Sequence, residues 1–494
     1  MARADVARGL GAQPSRGSAA SGPSWRCLHQ RRGCTSLRKN STSTWPNHSA
    51  GNPMAYCWAR LRSRDGRDGP GLCPPSEKPS ALWGVSSSST RPAYPWLRRG
   101  PQRRSLRHMP TAREHDIVLL GATGFTGRLV AAHLGRRAPQ PARLAMAGRN
   151  EDSLRQVAAA LGREVAVVPA DTGDTASMER LAASTRVLAT TVGPYSRLGA
   201  GVVAACAAQG TDYLDLTGEP GFYDLTYLRH HDQACRSGAR LVQACGFDSV
   251  PHDLGVQFTV EQLPEGAAID VRGYLKVHGT VSGGTLASAL EVMSTARGAA
   301  ALAIARRLVE PAPPDRRVRP ASHMVGKSHD TGNWAVPMPT IDALVVARSA
   351  RLCRRYGPDF RYSPFLAVGT PSRAAAVAAG AAAMFAAAQV PVLRHKLQAL
   401  RPPGTGPQEE RRDRSWFSLR LYGEGGGRRA LTEVTGGDPG YGETAKMLAE
   451  SALCLAFDDL PSAAGQVTTA SCMGPALRRR LQEVGIQFRT VEAL

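Results

Sequence analysis

The chain has 494 residues, of which 42% are hydrophobic, and it carries a formal net charge of +22. This length predicts two or three domains, and the hydrophobic content is enough for ordinary globular cores, which excludes a chain that is disordered throughout. The six cysteines of the globular part form no CxxC pair and no metal-like grouping with His; they are Cys206, Cys235, Cys245, Cys353, Cys454 and Cys472. This argues against a zinc site or a disulfide framework and favours an intracellular enzyme.

Most of the positive charge lies in an N-terminal tail. Residues 1–108 hold 19 Lys and Arg against 4 Asp and Glu, so they carry +15 of the net +22. Such a tail is typical of segments that bind nucleic acid or anionic membrane, and of transit peptides. However, its Pro-, Ser- and Gly-rich sequence has few aliphatic residues and no periodicity, which favours disorder. We predict a disordered basic extension over residues 1–112, or a misassigned one if translation starts at Met109, and no nucleic-acid partner.

A strand, a glycine turn and a helix follow one another directly after His115. Ile117 to Leu120 form an apolar run typical of a strand buried on both faces, and an apolar helical face continues from Leu129. A dinucleotide needs this order, because its pyrophosphate must meet free backbone N–H groups at the positive end of a helix. The predicted cofactor-binding residues of the GxxGxxG turn are Gly121, Ala122, Thr123, Gly124, Phe125, Thr126 and Gly127.

Short apolar strands and helices then alternate up to about residue 244. This alternation predicts a Rossmann-type, doubly wound parallel sheet whose ligands bind at the carboxyl ends of the strands. After Asp253 the periodicity changes to alternating strands such as Ile269 to Val277, with flanking helices. The predicted fold is therefore α/β, with an NAD(P)-binding domain over residues 113–250 and a second α+β substrate or cap domain with C-terminal helices over residues 251–494.

Residues at the strand ends predict the choice of cofactor. The second strand ends at Arg149, where an NAD-preferring enzyme usually carries an acidic residue, and a guanidinium suits the 2′-phosphate of NADPH. A solvated Arg149, with Glu151 or Asp152 holding the ribose of NADH, is the open alternative. Asp171 is predicted either near the adenine or as a helix cap. Thr191 and Gly193 are predicted beside the nicotinamide.

Several ordered motifs resemble the saccharopine dehydrogenase-like oxidoreductases, and within them the trans-acting enoyl reductases of actinobacterial lipid synthesis. They are GATGFTG at 121–127, AGR at 147–149, TTVGPYSRLG at 190–199, DYLDLTGE at 212–219, CGFDSVPHDLG at 245–255, SGGT at 282–285 and GDPGYGETAKMLAESA at 437–452. The resemblance covers about residue 114 to the end. It implies an NADPH-dependent reductase whose substrate is a lipid- or polyketide-type enoyl thioester. The expected partner is a synthase or carrier protein that carries this acyl group.

The candidate catalytic residues are Tyr195, Asp248 and His252. Reduction of a conjugated double bond needs a hydride, polarisation of the carbonyl and a proton for the neighbouring carbon, and each of these side chains is able to donate a proton. Each also has a structural alternative, since Tyr195 could pack, Asp248 could cap a helix and a lone His is more often structural. No metal site is predicted.

Ala374 to Leu393 is an uncharged, Ala-rich run of 20 residues. We expect a buried or surface amphipathic helix. Peripheral membrane contact through residues 374–401 is an alternative, because Arg394, His395 and Lys396 follow the run, and a transmembrane span is a third, which the weakly apolar alanines and Pro391 disfavour. The predicted location is cytoplasmic, with the inner face of the plasma membrane as the site of any peripheral contact. Two other functions stay open: an imine or amino-acid dehydrogenase, and a non-catalytic NADPH-binding scaffold at a lipid surface. The sequence does not predict the oligomeric state.

Overall fold

The structure is a computed structural model that describes residues 113–279, 283–321, 324–400 and 408–493. The basic extension predicted over residues 1–112 therefore lies outside the described residues, as does Ser282 of the SGGT motif. Within the described part, the chain forms two β-sheets joined by one continuous hydrophobic core. That core contains strand residues of both sheets, such as Ile117 and Leu419.

The first sheet is parallel, with the strand order β14-β6-β5-β4-β1-β2-β3. Its strands are β1 (His115–Leu120), β2 (Leu144–Gly148), β3 (Ala166–Pro169), β4 (Thr185–Thr190), β5 (Asp212–Leu214), β6 (Arg240–Val242) and β14 (Gly465–Val467). From β1 the chain winds through β2 and β3 on one side and through β4, β5 and β6 on the other. The reversal between β1 and β4 is the topological switch point at which such sheets bind ligands.

Helices connect these strands and cover the sheet. They are α1 (Phe125–Arg137), α2 (Glu151–Ala159), α3 (Thr175–Ser184), α4 (Tyr195–Leu198), α5 (Ala200–Gln209) and α6 (Pro220–Ser237). Local sequence sets their ends: Asn150 and Asp174 accept backbone N–H groups as N-caps of α2 and α3, and Gly238 ends α6 with a left-handed residue. The predicted doubly wound sheet is thus confirmed.

The second sheet is mixed, with the order β15-β13-β12-β7-β11-β10-β9, and β8 pairs with β11 outside this path. Its strands are β7 (Ile269–His278), β8 (Arg317–Arg319), β9 (Gly326–Lys327), β10 (Trp334–Pro337), β11 (Asp359–Gly369), β12 (Trp416–Gly425), β13 (Arg428–Gly436) and β15 (Gln487–Ala493). β7 pairs antiparallel with β12 and parallel with β11. The predicted α+β character of this part is thus met by a sheet that contains both parallel and antiparallel pairs.

The remaining helices complete the second half. They are α7 (Val250–Glu261), α8 (Gly283–Ser294), α9 (Ala296–Val309), α10 (Asp342–Leu352), α11 (Pro371–Gln389), α12 (Pro391–Leu400), α13 (Glu409–Asp413), α14 (Gly442–Phe457), α15 (Thr469–Cys472) and α16 (Gly474–Glu483), with a 3-10 turn at Arg354–Tyr356. α7 and α10 pack against the inner face of the second sheet. Residues 401–407, between α12 and α13, lie outside the described residues.

The C-terminal part of the chain returns to the first sheet. β14 pairs in parallel with β6, and α14 packs on α1 and on strands β1, β4 and β5. The predicted domain boundary at residues 250/251 placed both elements in the second domain. The structure differs because the contacts that join β14 to β6 are long-range, and a three-residue strand has no periodicity of its own.

Candidate cofactor and active site

The glycine turn after β1 is held by its own backbone. Gly121 has a φ of +88°, a conformation that favours glycine, and its N–H donates to Ala147 O of β2 at 2.8 Å. A Cβ on Gly127 would lie 2.1 Å from Gly121 O, so only glycine lets α1 pack this closely on the turn. At Gly124 the nearest atom to an added Cβ is 3.5 Å away, so this position borders open space.

The N-terminus of α1 fits a phosphate group. Among the described residues no side chain caps this helix, and its first turn contains no acidic residue. The neighbouring helices α2 and α3 are capped by Asn150 and Asp174, whereas the positive end of α1 is left uncapped at the switch point. Uncapped N–H groups and the helix dipole together bind anions, as a dinucleotide pyrophosphate requires.

Other residues of the turn fix its shape. Ala122 is buried, whereas Thr123 is half-buried and its carbonyl accepts a hydrogen bond from Arg128 Nε at 3.0 Å. Phe125 lies edge-on against Tyr441, with ring centroids 4.7 Å apart. Tyr441 belongs to the GDPGYGETAKMLAESA motif, so the first turn of α1, which also contains the half-buried Thr126, is braced by the returning C-terminal part.

The end of β4 meets the glycine turn directly. Thr191 Oγ1 donates to Gly121 O at 3.1 Å, and a Cβ on Gly121 would clash with the side chains of Thr191 and Val192. Gly193 follows and lies against the ring of Tyr195. Thr191 and Gly193 are therefore placed at the switch point, although the hydroxyl of Thr191 is already used to tie the two loops together.

Arg149 and Asp171 lie at the exposed ends of β2 and β3. The Arg149 guanidinium forms no hydrogen bond or ion pair with a described residue, while Arg155 engages both Glu151 (2.5 Å) and Asp152 (3.4 Å). Asp171 accepts the N–H of Gly173 at 2.9 Å in a turn, and the N-cap of α3 is Asp174 rather than Asp171. Of these two charged groups, Arg149 is thus the one without a partner among the described residues.

Tyr195 is placed in the core and not in the crevice. Its side chain is buried, and its hydroxyl donates to Thr190 O and accepts the Leu216 N–H, both at 3.2 Å. Burial, with the nearby Asp215 carboxylate, raises the pKa of the phenol well above its usual range. This corrects the expectation of a proton donor, because a buried hydroxyl needs partners and this one has them on both sides.

Asp248 lies at the junction of the two sheets, in the loop between β6 and α7. Its side chain is accessible to solvent. Its Oδ2 lies against the loop after β5, 3.0 Å from the point where a Cβ added to Gly218 would lie. Burial, together with the nearby Asp342 carboxylate, raises the pKa of this carboxyl to about 6. An accessible acid with a raised pKa at the carboxyl edge of the sheet marks a candidate active site.

Asp342, at the start of α10, is buried behind Asp248. Burial raises its pKa to about 7, and one oxygen accepts a hydrogen bond from Thr340 Oγ1. Its other oxygen, Oδ1, is buried without a hydrogen-bond partner among the described residues. A carboxyl with an unpartnered buried oxygen is more stable when protonated, so Asp248 and Asp342 together retain a proton to higher pH than ordinary carboxylates.

His252 is buried beside Asp342. Its Nδ1 is 2.5 Å from the Tyr362 hydroxyl, and its Nε2 is 3.9 Å from Asp342 Oδ1. Burial lowers the pKa of the imidazole to about 3, so the ring is neutral at physiological pH. The structure therefore brings His252 together with Asp248 through Asp342, but it closes the ring off from solvent.

Sequence reasoning missed three acidic groups. Asp215 accepts the Thr217 and Ala244 N–H groups (3.0 and 2.8 Å) and thereby joins the ends of β5 and β6. Glu219 caps α4 through the N–H groups of Tyr195 and Ser196. Both lie in the DYLDLTGE motif, and the acidic residues of that motif were a signal from which the sequence could have predicted them. Asp342 lies in no motif, so the sequence carried no signal for it.

The fold and the site define a class of protein: an oxidoreductase with a nicotinamide dinucleotide cofactor bound at the switch point of a Rossmann sheet. The family model described as the saccharopine dehydrogenase NADP binding domain matches residues 117–244. NADP(H) is therefore the cofactor type that the first sheet binds.

Curated relatives match over nearly their whole length. The trans-acting enoyl reductase of Mycobacterium tuberculosis strain H37Rv is 36% identical over 419 residues, which cover 77% of this chain and 99% of the relative. The trans-acting enoyl reductase of Mycobacterium leprae is 35% identical over 417 residues, with the same two shares. The chain therefore belongs to the saccharopine dehydrogenase-like oxidoreductases and, within them, to the trans-acting enoyl reductase family.

Among solved structures, the apo saccharopine dehydrogenase (L-Glu forming) of Saccharomyces cerevisiae is similar to this chain with a TM-score of 0.44 and 12% identity. The match covers 76% of this chain and 100% of that protein.

Proposed function

We propose that this protein uses NADPH to reduce the carbon–carbon double bond of an enoyl thioester that a separate synthase or carrier protein presents. One observation carries the proposal: similarity to the trans-acting enoyl reductases over nearly their whole length, in a chain whose glycine turn and uncapped α1 fit a dinucleotide. The word trans-acting in the relatives' names supports a substrate made on another protein.

Residues at the edge of the first sheet would hold the cofactor. The N-terminus of α1 receives the pyrophosphate over Gly124, and Arg149 pairs with the 2′-phosphate, because its guanidinium is free while Glu151 and Asp152 are engaged by Arg155. This arrangement favours NADPH over NADH. When bound, NADPH supplies the hydride for the β-carbon of the enoyl group.

Asp248 is the proposed proton donor for the α-carbon. Hydride addition to the β-carbon leaves an enolate, which becomes the saturated thioester when a proton is added to the α-carbon. Asp248 is solvent-accessible at the junction of the sheets, and with Asp342 it retains a proton at a pH where an ordinary carboxyl has lost it. Tyr195 and His252 are enclosed, so they position the surrounding loops instead.

The test is NADPH oxidation by the purified protein with enoyl, keto and imine substrates, followed by mass spectrometry of the product. With deuterated cofactor we expect one deuterium at the β-carbon of a saturated thioester. Asp248→Asn should bind NADPH normally but turn over roughly 100-fold or more slowly, as expected for loss of a general acid. Turnover of imines with no turnover of enoyl thioesters would overturn the proposal.

A further inference from the structure

The helix pair α11 and α12 is exposed to an unusual degree. All nine residues from 375 to 383 are exposed, and in α11 only Ala374 and Ala388, near its two ends, are buried. The sequence predicted a buried or amphipathic helix, and the structure shows neither, since apolar residues face solvent on every side. A helix that is apolar all round is normally covered by protein or by lipid.

The uncovered surface contains large apolar side chains as well as alanine. Phe385 is 47% exposed, Val392 is 64% exposed and Leu393 is 46% exposed. The pair is held to the protein at the C-terminal end of α11, where Gln389 Nε2 donates to Met293 O of α8 at 2.8 Å. The C-terminal end of α11 is therefore attached to α8, while the apolar middle of α11 is exposed to solvent.

The charges of the pair are all positive. Residues 371–400 contain Arg373, Arg394 and Lys396 but no Asp or Glu, and no charged residue lies between Arg373 and Arg394. The two basic residues at the start of α12 lie beside the exposed Val392 and Leu393. An apolar surface bordered by Lys and Arg complements a membrane that contains anionic lipids.

The geometry favours shallow contact with a membrane surface. Among the described residues no single helix is long and apolar enough to cross a bilayer, and the one helix pair that would qualify is bent by 117° at the break before Pro391. With this bend, α11 can place its apolar middle among acyl chains while Arg394 and Lys396 stay at the level of the headgroups.

We propose that α11 and α12 dock this protein on an anionic lipid surface. A second copy of the chain fits less well, because a symmetric contact would bring the acid-free basic ends of the two pairs together. The proposal is independent of the proposed reaction: it concerns where the protein lies, and it would stand if the substrate were of another class.

The test is flotation of the full chain with phosphatidylcholine vesicles, with or without phosphatidylglycerol, at low and high salt. The full chain should bind the anionic vesicles more tightly and retain part of this binding at high salt, where attraction by the basic tail of residues 1–108 is screened. Arg394→Glu/Lys396→Glu should weaken low-salt binding roughly tenfold or more. The matched control, Arg229→Glu/Arg236→Glu on the exposed side of α6, should bind like wild type.

The apolar contribution is tested at high salt. Val377→Gln/Phe385→Gln should weaken the remaining binding roughly tenfold, whereas Ile304→Gln/Leu308→Gln, a more exposed apolar pair on α9, should not. All variants should keep wild-type NADPH affinity and melting temperature, since the replaced side chains are exposed or, at Arg394, half-buried. The proposal would be overturned if variant and control lost vesicle binding equally, or if the full chain bound no vesicles. It would also be overturned if the protein formed dimers without lipid and Val377→Gln/Phe385→Gln dissociated them.

Discussion

The carboxylate of Glu450 on α14 accepts a hydrogen bond from His133 Nε2 on α1 at 2.8 Å, in the interior of the protein. The same carboxylate also receives Arg137 Nε at 3.1 Å and Arg480 Nη1 at 3.2 Å. Burial alone would raise the pKa of Glu450, but the hydrogen bond from His133 and the cationic neighbours outweigh it, and the pKa lies below its usual value. One buried acid thus joins the cofactor-binding helix to the C-terminal part of the chain.

Glu450→Ala should therefore destabilise the protein by about 1–3 kcal/mol, because it leaves the buried His133 Nε2 without its hydrogen-bond partner. Glu483→Ala is the matched control: Glu483 also pairs with Arg137, at 2.7 Å, but it is 51% exposed. Such a surface pair contributes about 0–1 kcal/mol. Chemical denaturation of both variants measures the difference, and equal midpoints would show that the buried network does not hold α14 on α1.

The glycine turn gives a prediction about cofactor binding. Gly124→Val places a branched side chain on the open side of the turn, where the pyrophosphate approaches, without a clash inside the protein. We expect a folded variant without measurable NADPH binding in calorimetry. Gly298→Val, at an exposed position on α9 with no neighbour within 4 Å, should bind normally. Unchanged NADPH affinity in the Gly124 variant would contradict the placement of the cofactor.

The parts of the fold that sequence predicted are those set by local pattern. The run from Ile117 to Leu120, the glycine spacing and the strand–helix alternation up to β6 each depend on neighbouring residues, and the structure confirms the sheet. β14 and α14 join the first sheet through long-range contacts, which no local periodicity encodes.

In the candidate site, too, some residues could be located from local pattern and others depend on tertiary packing. The glycines and Arg149 could be located because a strand–turn–helix places them at the sheet edge. The direction of a side chain is set by tertiary packing, so sequence could not show that the Tyr195 ring turns into the core. Asp342 was missed because it reaches Asp248 only through the packing of α10 beside the first sheet, far along the chain.

Arg149 provides a prediction about the choice of cofactor. A charge-assisted hydrogen bond contributes about 1.5–3 kcal/mol, so Arg149→Ala should weaken NADPH binding roughly 10- to 150-fold and NADH binding hardly at all. Arg229→Ala, which removes an exposed guanidinium on α6, should leave the ratio of the two affinities unchanged. Equal loss of both cofactors in the Arg149 variant would make Arg149 a structural residue.

The last prediction concerns pH. The Asp248–Asp342 pair loses its proton between about pH 6 and about pH 7, because burial raises both pKa values. A proton donor works only while protonated, so kcat/KM for the enoyl substrate should fall as pH rises through this range. In Asp342→Asn the like charge is gone, Asp248 loses its proton at lower pH, and the fall in activity should shift to lower pH.

Asp232→Asn, at an exposed position on α6, should leave the profile unchanged. A wild-type profile that is flat from pH 5 to pH 8, measured with NADPH affinity as a control for folding, would remove Asp248 as the proton donor.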